Sequence, residues 1–188
     1  LGDPDQIDIP VRRLLSHSYI DSLRNQLNLS SHTPAVDLAG QAPLSSGVNT
    51  THLSVADRDG SLVALTTTLN FAYGNGIAVQ GAGFLLNNEM DDFSAKSGSA
   101  NGYGLIGGTA NAIQAKKRPL SSMTPTIVFD GTGKPIIATG SPGGSTIITI
   151  ILQMILNTSD FNMGIAEATA APRFHHQWLP DMIFRESG

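Results

Sequence analysis

The densest concentration of potential chemistry in this chain is Asn49-Thr50-Thr51-His52, where an aperiodic polar stretch passes into an alternating apolar run. A threonine hydroxyl is a weak nucleophile until a base takes its proton, and cleavage of the bond before it frees its own α-amine for that task. Scission at Asn49–Thr50 would therefore arm Thr50. Further along, Gly143-Gly144 could hold a developing oxyanion, because paired glycines ahead of a helix let backbone N–H groups approach a ligand. The same pair could equally be a tight packing turn. Ser121-Ser122 could bind a carboxylate or cap a loop, and Glu89 with Asp91-Asp92 could bind an ammonium group or form a solvated acidic turn. His175-His176 reads as a structural pair beside Trp178. The chain has no cysteine, and no other histidine stands at ligand spacing nearby, so no metal is expected.

The elements that must position these groups follow from periodicity. Val11 to Leu27 carries Leu14, Leu15, Leu23 and Leu27 at helical spacing behind Pro10 and predicts one amphipathic helix. Asn28 to Asn49 loses periodicity and reads as a mobile linker. Thr51 to Ala56 and Ser61 to Leu69 alternate as strands around the turn Asp57-Arg58-Asp59-Gly60. A three-residue loop with Gly60 left-handed pairs Asp57 with Ser61 and, counted back along the ladder, sets Thr50 opposite Thr68 on a shared face. A two-residue loop would bring Leu69 there instead. A second hairpin, Thr126 to Phe129 with Pro135 to Thr139, leads into Gly140-Ser141-Pro142-Gly143-Gly144-Ser145 and an apolar helix from Thr146 to Asn157. A short helix near Met163 to Ala171 stops at Pro172, and Ser94 to Gly108 reads as a flexible surface loop.

Composition narrows the function classes. With 188 residues, 14% charged and a net charge of −4, the chain is long enough for a core but has no basic stripe for nucleic acid. The apolar run Ile147 to Leu156 is too short to cross a membrane. The chain opens at Leu1 on Gly2-Asp3-Pro4-Asp5 and stops after Asp181-Met-Ile-Phe-Arg185, so it reads as a fragment.

Six ordered segments carry a resemblance. They are Thr50-Thr51-His52; Thr68-Leu69-Asn70; Leu85 through Ser94, with Asn87-Asn88-Glu89-Met90-Asp91-Asp92; Lys117-Arg118-Pro119-Leu120-Ser121-Ser122-Met123; Gly140 through Ser145; and Ala171 through Asp181. Together they closely resemble the small subunit of γ-glutamyltransferase (γ-glutamyl transpeptidase), an N-terminal-nucleophile hydrolase. The resemblance implies an α+β fold, an αββα sandwich of two stacked, mainly antiparallel sheets flanked by helices, incomplete in this chain. Residues 1–49 would be the end of the large subunit, and 50–188 the small-subunit core without its final strands. It further implies autocleavage between Asn49 and Thr50, with Thr50 as nucleophile, its α-amine as base and Thr68 assisting. A γ-glutamyl-enzyme ester would then pass to water, an amino acid or a peptide, with glutathione the expected donor.

By the same match Asn70, Glu89 and Asp92 would hold the substrate ammonium, Ser121 and Ser122 its carboxylate, and Gly143 and Gly144 the oxyanion. Tyr103 would belong to a lid. No cofactor is implied. The partner would be the remaining large-subunit polypeptide, and bacterial relatives imply a periplasmic or secreted location. Thr146 stands where an arginine is common in bacterial members. Related readings on the same fold are a cephalosporin acylase or a poly-γ-glutamate-processing enzyme; a noncatalytic truncated product is a third.

Overall fold

The structure is a computed structural model that describes residues 1–34 and 49–186. Most of the linker expected between Asn28 and Asn49 therefore lies outside the described residues.

The helix expected over Val11 to Leu27 is two helices, α1 (Val11–Leu14) and α2 (His17–Arg24). Ser16 is the reason for the break. Its extended backbone and its Oγ, which accepts from Tyr19 N at 3.3 Å, make it the N-cap of a new helix rather than the interior of an old one. Leu15, Ile20 and Leu23 remain exposed, so neither helix contributes a buried residue to the core.

Two antiparallel hairpins form the centre. β1 (Thr50–Ala56) pairs β2 (Leu62–Thr68) without a slip, in the register Thr50↔Thr68 through Ala56↔Leu62. The turn fixes that register. Asp57 N donates to Ser61 O at 3.0 Å, Asp57 Oδ1 accepts from Asp59 N and Ser61 N, and Gly60 takes φ +91°, where a side chain would be strained. Thr50, His52, Thr66 and Thr68 share one face of the ladder, and Leu53, Val55, Val63 and Leu65 lie exposed on the other. β3 (Thr126–Phe129) pairs β4 (Pro135–Thr139), with a bulge between Val128 and Phe129. Ser54 Oγ donates to Ala138 O at 3.0 Å and joins the first hairpin to the second.

α3 (Ile147–Ser159) is apolar on two faces. Ile147, Ile151 and Met154 are buried, Thr139 Oγ1 reaches Met154 Sδ, and Ile148, Leu152 and Leu156 stay exposed on the far side. α4 (Ile165–Ala170) follows, and β5 (Phe174–His175) pairs with β6 (Phe184–Arg185). His175 is buried, with Nδ1 2.8 Å from Thr149 Oγ1 and Nε2 3.0 Å from Gln177 Oε1, which makes it a brace between α3 and the C-terminal segment. Among the described residues no cluster of three or more metal-ligating side chains occurs, and no helix is long and apolar enough to cross a membrane.

The N-terminal segment is clamped onto the molecule far along the sequence. Asp3 is buried and accepts from Arg118 Nη2 at 2.5 Å, from Arg118 Nε at 3.2 Å and from Arg118 N at 2.9 Å. These charge-assisted bonds hold the Asp3 carboxyl well below the usual carboxylate range and anchor the strand of chain that leads to Ser121-Ser122.

Candidate active site

At the open end of the β1–β2 ladder, Thr50 Oγ1 donates to Thr68 Oγ1 at 3.2 Å. Thr68 Oγ1 also accepts from Asn70 N at 2.9 Å and donates to Asn49 O at 3.3 Å. A hydroxyl offers one proton and two lone pairs, so Thr68 is fully used. Its single donated bond falls on the carbonyl of the Asn49–Thr50 peptide and polarises that carbonyl.

Thr50 and Thr68 line a small, open cleft together with Asn70, Glu89, Asp92, Tyr103, Ser121, Ser122 and Gly144. Met123 and Ile147 complete its lining. Nearly every site residue expected from the sequence thus converges on one volume. Gly143 is outside that lining, one residue behind Gly144. Both glycines occupy positive φ, +137° and +58°, and a Cβ on Gly144 would stand 2.7 Å from the Tyr103 ring. Among the described residues neither N–H is bonded to a backbone or side-chain acceptor. Thr146 Oγ1 donates to Gly143 O at 2.8 Å and steadies this turn.

The acidic wall is the 3-10 turn Glu89–Asp92. Desolvation, then the neighbouring Asp92 carboxyl, pushes Glu89 up to about 7; burial raises Asp92 as well. Glu89 Oε1 is buried without a hydrogen-bond partner. Two half-buried carboxyls facing one cleft, one with an unpaired oxygen, are electrostatically suited to a cation. Opposite them, Ser121 Oγ accepts from Met123 N at 3.1 Å, the ordinary loop bond that its sequence also allowed, while Ser122 is half-buried beside it.

Tyr103 differs from the expectation of a flexible surface loop. It is 6% exposed, its hydroxyl donates to Asn70 O at 2.7 Å, and its ring packs against Phe71 with centroids 5.5 Å apart. Gly102 N donates to Asp91 Oδ2 at 2.9 Å, and Gln177 Nε2 to Tyr103 O at 3.3 Å. Glycine-rich composition suggested mobility, but one aromatic side chain and these bonds draw the segment over the cleft. Burial raises the Tyr103 hydroxyl to about 12, so it remains a proton donor at neutral pH.

Met123 and Ile147 were not picked out from the sequence as lining the site. Ile147 had a usable signal, as the first apolar residue after the glycine pair.

The chain matches the family model described as gamma-glutamyltranspeptidase over residues 1–188. It is 52% identical to a glutathione hydrolase proenzyme of Escherichia coli over 190 residues, covering 100% of this chain and 32% of that protein. A glutathione hydrolase proenzyme of Pseudomonas aeruginosa is 46% identical over 189 residues, covering 100% of this chain and 33% of the relative. This chain thus spans about a third of the length of these relatives. Among solved structures, a mutant of the Helicobacter pylori gamma-glutamyltranspeptidase superposes with a TM-score of 0.68 at 62% identity, covering 71% of each chain.

Proposed function

Because this chain belongs to the γ-glutamyltranspeptidase family and shares its α+β, N-terminal-nucleophile hydrolase fold, we propose that the full-length protein carrying it cleaves itself before Thr50 and then transfers or hydrolyses γ-glutamyl groups. The observation that carries this reading is the Thr50–Thr68–Asn49 hydrogen-bond chain at the mouth of the cleft shared by Glu89, Asp92, Ser121 and Ser122.

The reaction follows from those groups. While Asn49 is attached, Thr50 has no free amine, and its hydroxyl can attack only the preceding carbonyl. That attack moves the Asn49 acyl group from the Thr50 nitrogen to Oγ1, and water hydrolyses the ester to leave an Asn49 carboxylate and a free Thr50 amine; departure of the Asn49 end frees the Thr68 proton for Thr50 Oγ1. The Thr50 amine then takes the hydroxyl proton as Oγ1 adds to the γ-carbonyl of the donor. The N–H groups of Gly143 and Gly144 stabilise the resulting oxyanion, an interaction typically worth about 3–4 kcal/mol per donor. Collapse expels the amine, protonated by the same base, and leaves a γ-glutamyl ester on Thr50. Water or an amino-group acceptor cleaves that ester in turn.

Head-group recognition needs opposite partners at two ends. Asn70, Glu89 and Asp92 take the α-ammonium, and Ser121 and Ser122 take the α-carboxylate. Buried polar groups left unpaired by an analogue give strong rejection of it. In this reading Tyr103 acts as the lid, and glutathione is the natural donor. Residues 1–49 end the large subunit, and residues 50–188 open the small one. The rest of the precursor is the heterodimer partner; the exposed Leu53, Val55, Val63 and Leu65 face supports a covering polypeptide. A periplasmic or secreted location completes the proposal.

The test is turnover of a chromogenic γ-glutamyl anilide by the full-length protein, with and without Thr50→Ala. Turnover is expected only with Thr50 present, alongside a mass change from scission at Asn49–Thr50. Equal turnover in the variant overturns Thr50 as nucleophile. Preference for a glutaryl anilide, which lacks the α-amine, would favour the acylase alternative.

A further inference from the structure

Between the acidic wall and the serine pair lies Asn111, 5% exposed, at the end of the 3-10 turn Thr109–Asn111. Its Nδ2 donates to Asp92 O at 2.7 Å, and its Oδ1 accepts from Leu120 N at 2.9 Å. Its own carbonyl accepts from Ser94 N at 2.9 Å. Asp92 closes the acidic turn, and Leu120 immediately precedes Ser121-Ser122. One planar amide therefore spans the two loops that the functional reading assigns to opposite ends of the head group. Both side-chain bonds go to main-chain atoms, so they fix where the loops lie, whatever side chains those loops carry.

We propose that Asn111 is a positioning residue that sets the separation between the ammonium-binding and carboxylate-binding groups, and so selects donors carrying both charges on one carbon. The inference rests on the γ-glutamyl reading above. The ammonium and carboxylate of an α-amino acid stand at a fixed distance, and a site engages both only if its two halves are held at the matching span. Loosening that span weakens binding of the doubly charged head group more than binding of an analogue that uses one end.

Asn111→Ala and Asn111→Asp in the full-length protein test this with three anilides: γ-glutamyl, glutaryl (no ammonium) and 4-aminobutyryl (no carboxylate). For Asn111→Ala the γ-glutamyl anilide is expected to lose about tenfold in kcat/KM, carried by KM, with a smaller loss for each single-charge analogue. Asn111→Asp keeps the acceptor for Leu120 N but turns a carboxylate oxygen toward Asp92 O in place of the donor. It should displace the acidic turn and raise KM for the two ammonium-bearing substrates more than for the glutaryl anilide. Scission at Asn49–Thr50 and thermal melting report folding separately, and if Asn111→Ala fails to fold, the near-isosteric Asn111→Asp carries the test. A merely structural role would lower kcat for all three substrates together with KM unchanged, and that result overturns the inference alone. A wild-type protein that self-cleaves yet never turns over the γ-glutamyl anilide overturns the functional reading, and this inference with it.

Discussion

At one end of the cleft, Thr50 and Thr68 face each other because an unbroken antiparallel ladder, closed by the Asp57–Ser61 turn, admits no other register. At the other end, Glu89, Asp92, Ser121 and Ser122 sit on loops with no ladder between them; the Asn111 side chain bonds the backbone of both, and the Asp3 carboxyl holds Arg118 N ahead of the serine pair. The first arrangement is local and repetitive, and every rung reinforces the next. The second depends on side-chain bonds and scattered single main-chain bonds rather than on repeated rungs. A reacting pair benefits from the stiffness of a ladder, whereas a recognition site can be retuned by changing one tie. Gly144 and Tyr103 lie where the two meet.

The comparison breaks most sharply at Thr68. Thr68→Val preserves the strand-forming shape but removes the bonds to Thr50, Asn49 and Asn70. A fall in kcat of about 100-fold or more is expected, with KM little changed and scission at Asn49–Thr50 slowed. A large KM effect instead would mean that the two ends are not separable. Gly144→Ala comes next. Its φ of +58° and the Tyr103 ring 2.7 Å from the added Cβ leave it no room, so kcat should drop about tenfold and the loss should be relieved in part by Tyr103→Ala. No rescue in the double variant would place the strain elsewhere.

A smaller effect belongs to the recognition end and is read by pH. Glu89 in the free protein titrates near 7, raised by desolvation and then by Asp92. On the proposed reading an ionised Glu89 favours the donor ammonium, so kcat/KM should rise as pH increases through about 7, and Glu89→Gln should remove that part of the rise and leave the part due to the Thr50 α-amine. The stability sign is opposite: an acid with a raised folded pKa contributes most below its ordinary value, and that contribution is lost as pH rises through about 7. Glu89→Gln should therefore raise the melting temperature of the ligand-free protein most at alkaline pH.

The smallest change is expected from Asp3→Asn. Arg118 depresses the folded pKa of Asp3, so its contribution is present above the ordinary carboxylate range and lost as pH falls toward the depressed folded value. The variant should melt lower at neutral pH, with the gap closing in acid, and KM for the γ-glutamyl anilide should rise slightly as the chain before Ser121 loosens. An unchanged melt at neutral pH would show that the clamp adds nothing to the recognition end.

How far each part was legible in the sequence follows the same division. The Thr50–Thr68 pairing could be counted from a turn because strand periodicity propagates a local decision over seven rungs. The second hairpin appears over the residues its alternation indicated, and α3 is displaced by only one residue at its start. The helix expected over Val11 to Leu27 failed at Ser16, where a side-chain cap outweighed apolar spacing. The surface-loop reading of Ser94 to Gly108 missed information of another kind: composition gave no sign that the Tyr103 ring would be buried against Phe71 and Gly144.

By itself, then, the sequence determined the candidate reacting types, a choice of two ladder registers and the family to which the motifs belong, since each is encoded in neighbours or in ordered short segments. Only the tertiary structure decided that Thr68 spends its one proton on the Asn49 carbonyl, that Glu89 keeps an unpaired oxygen in the cleft, and that Asn111 joins the acidic turn to the serine loop. Those facts depend on distances between groups far apart in the chain, and periodicity carries no information about such distances.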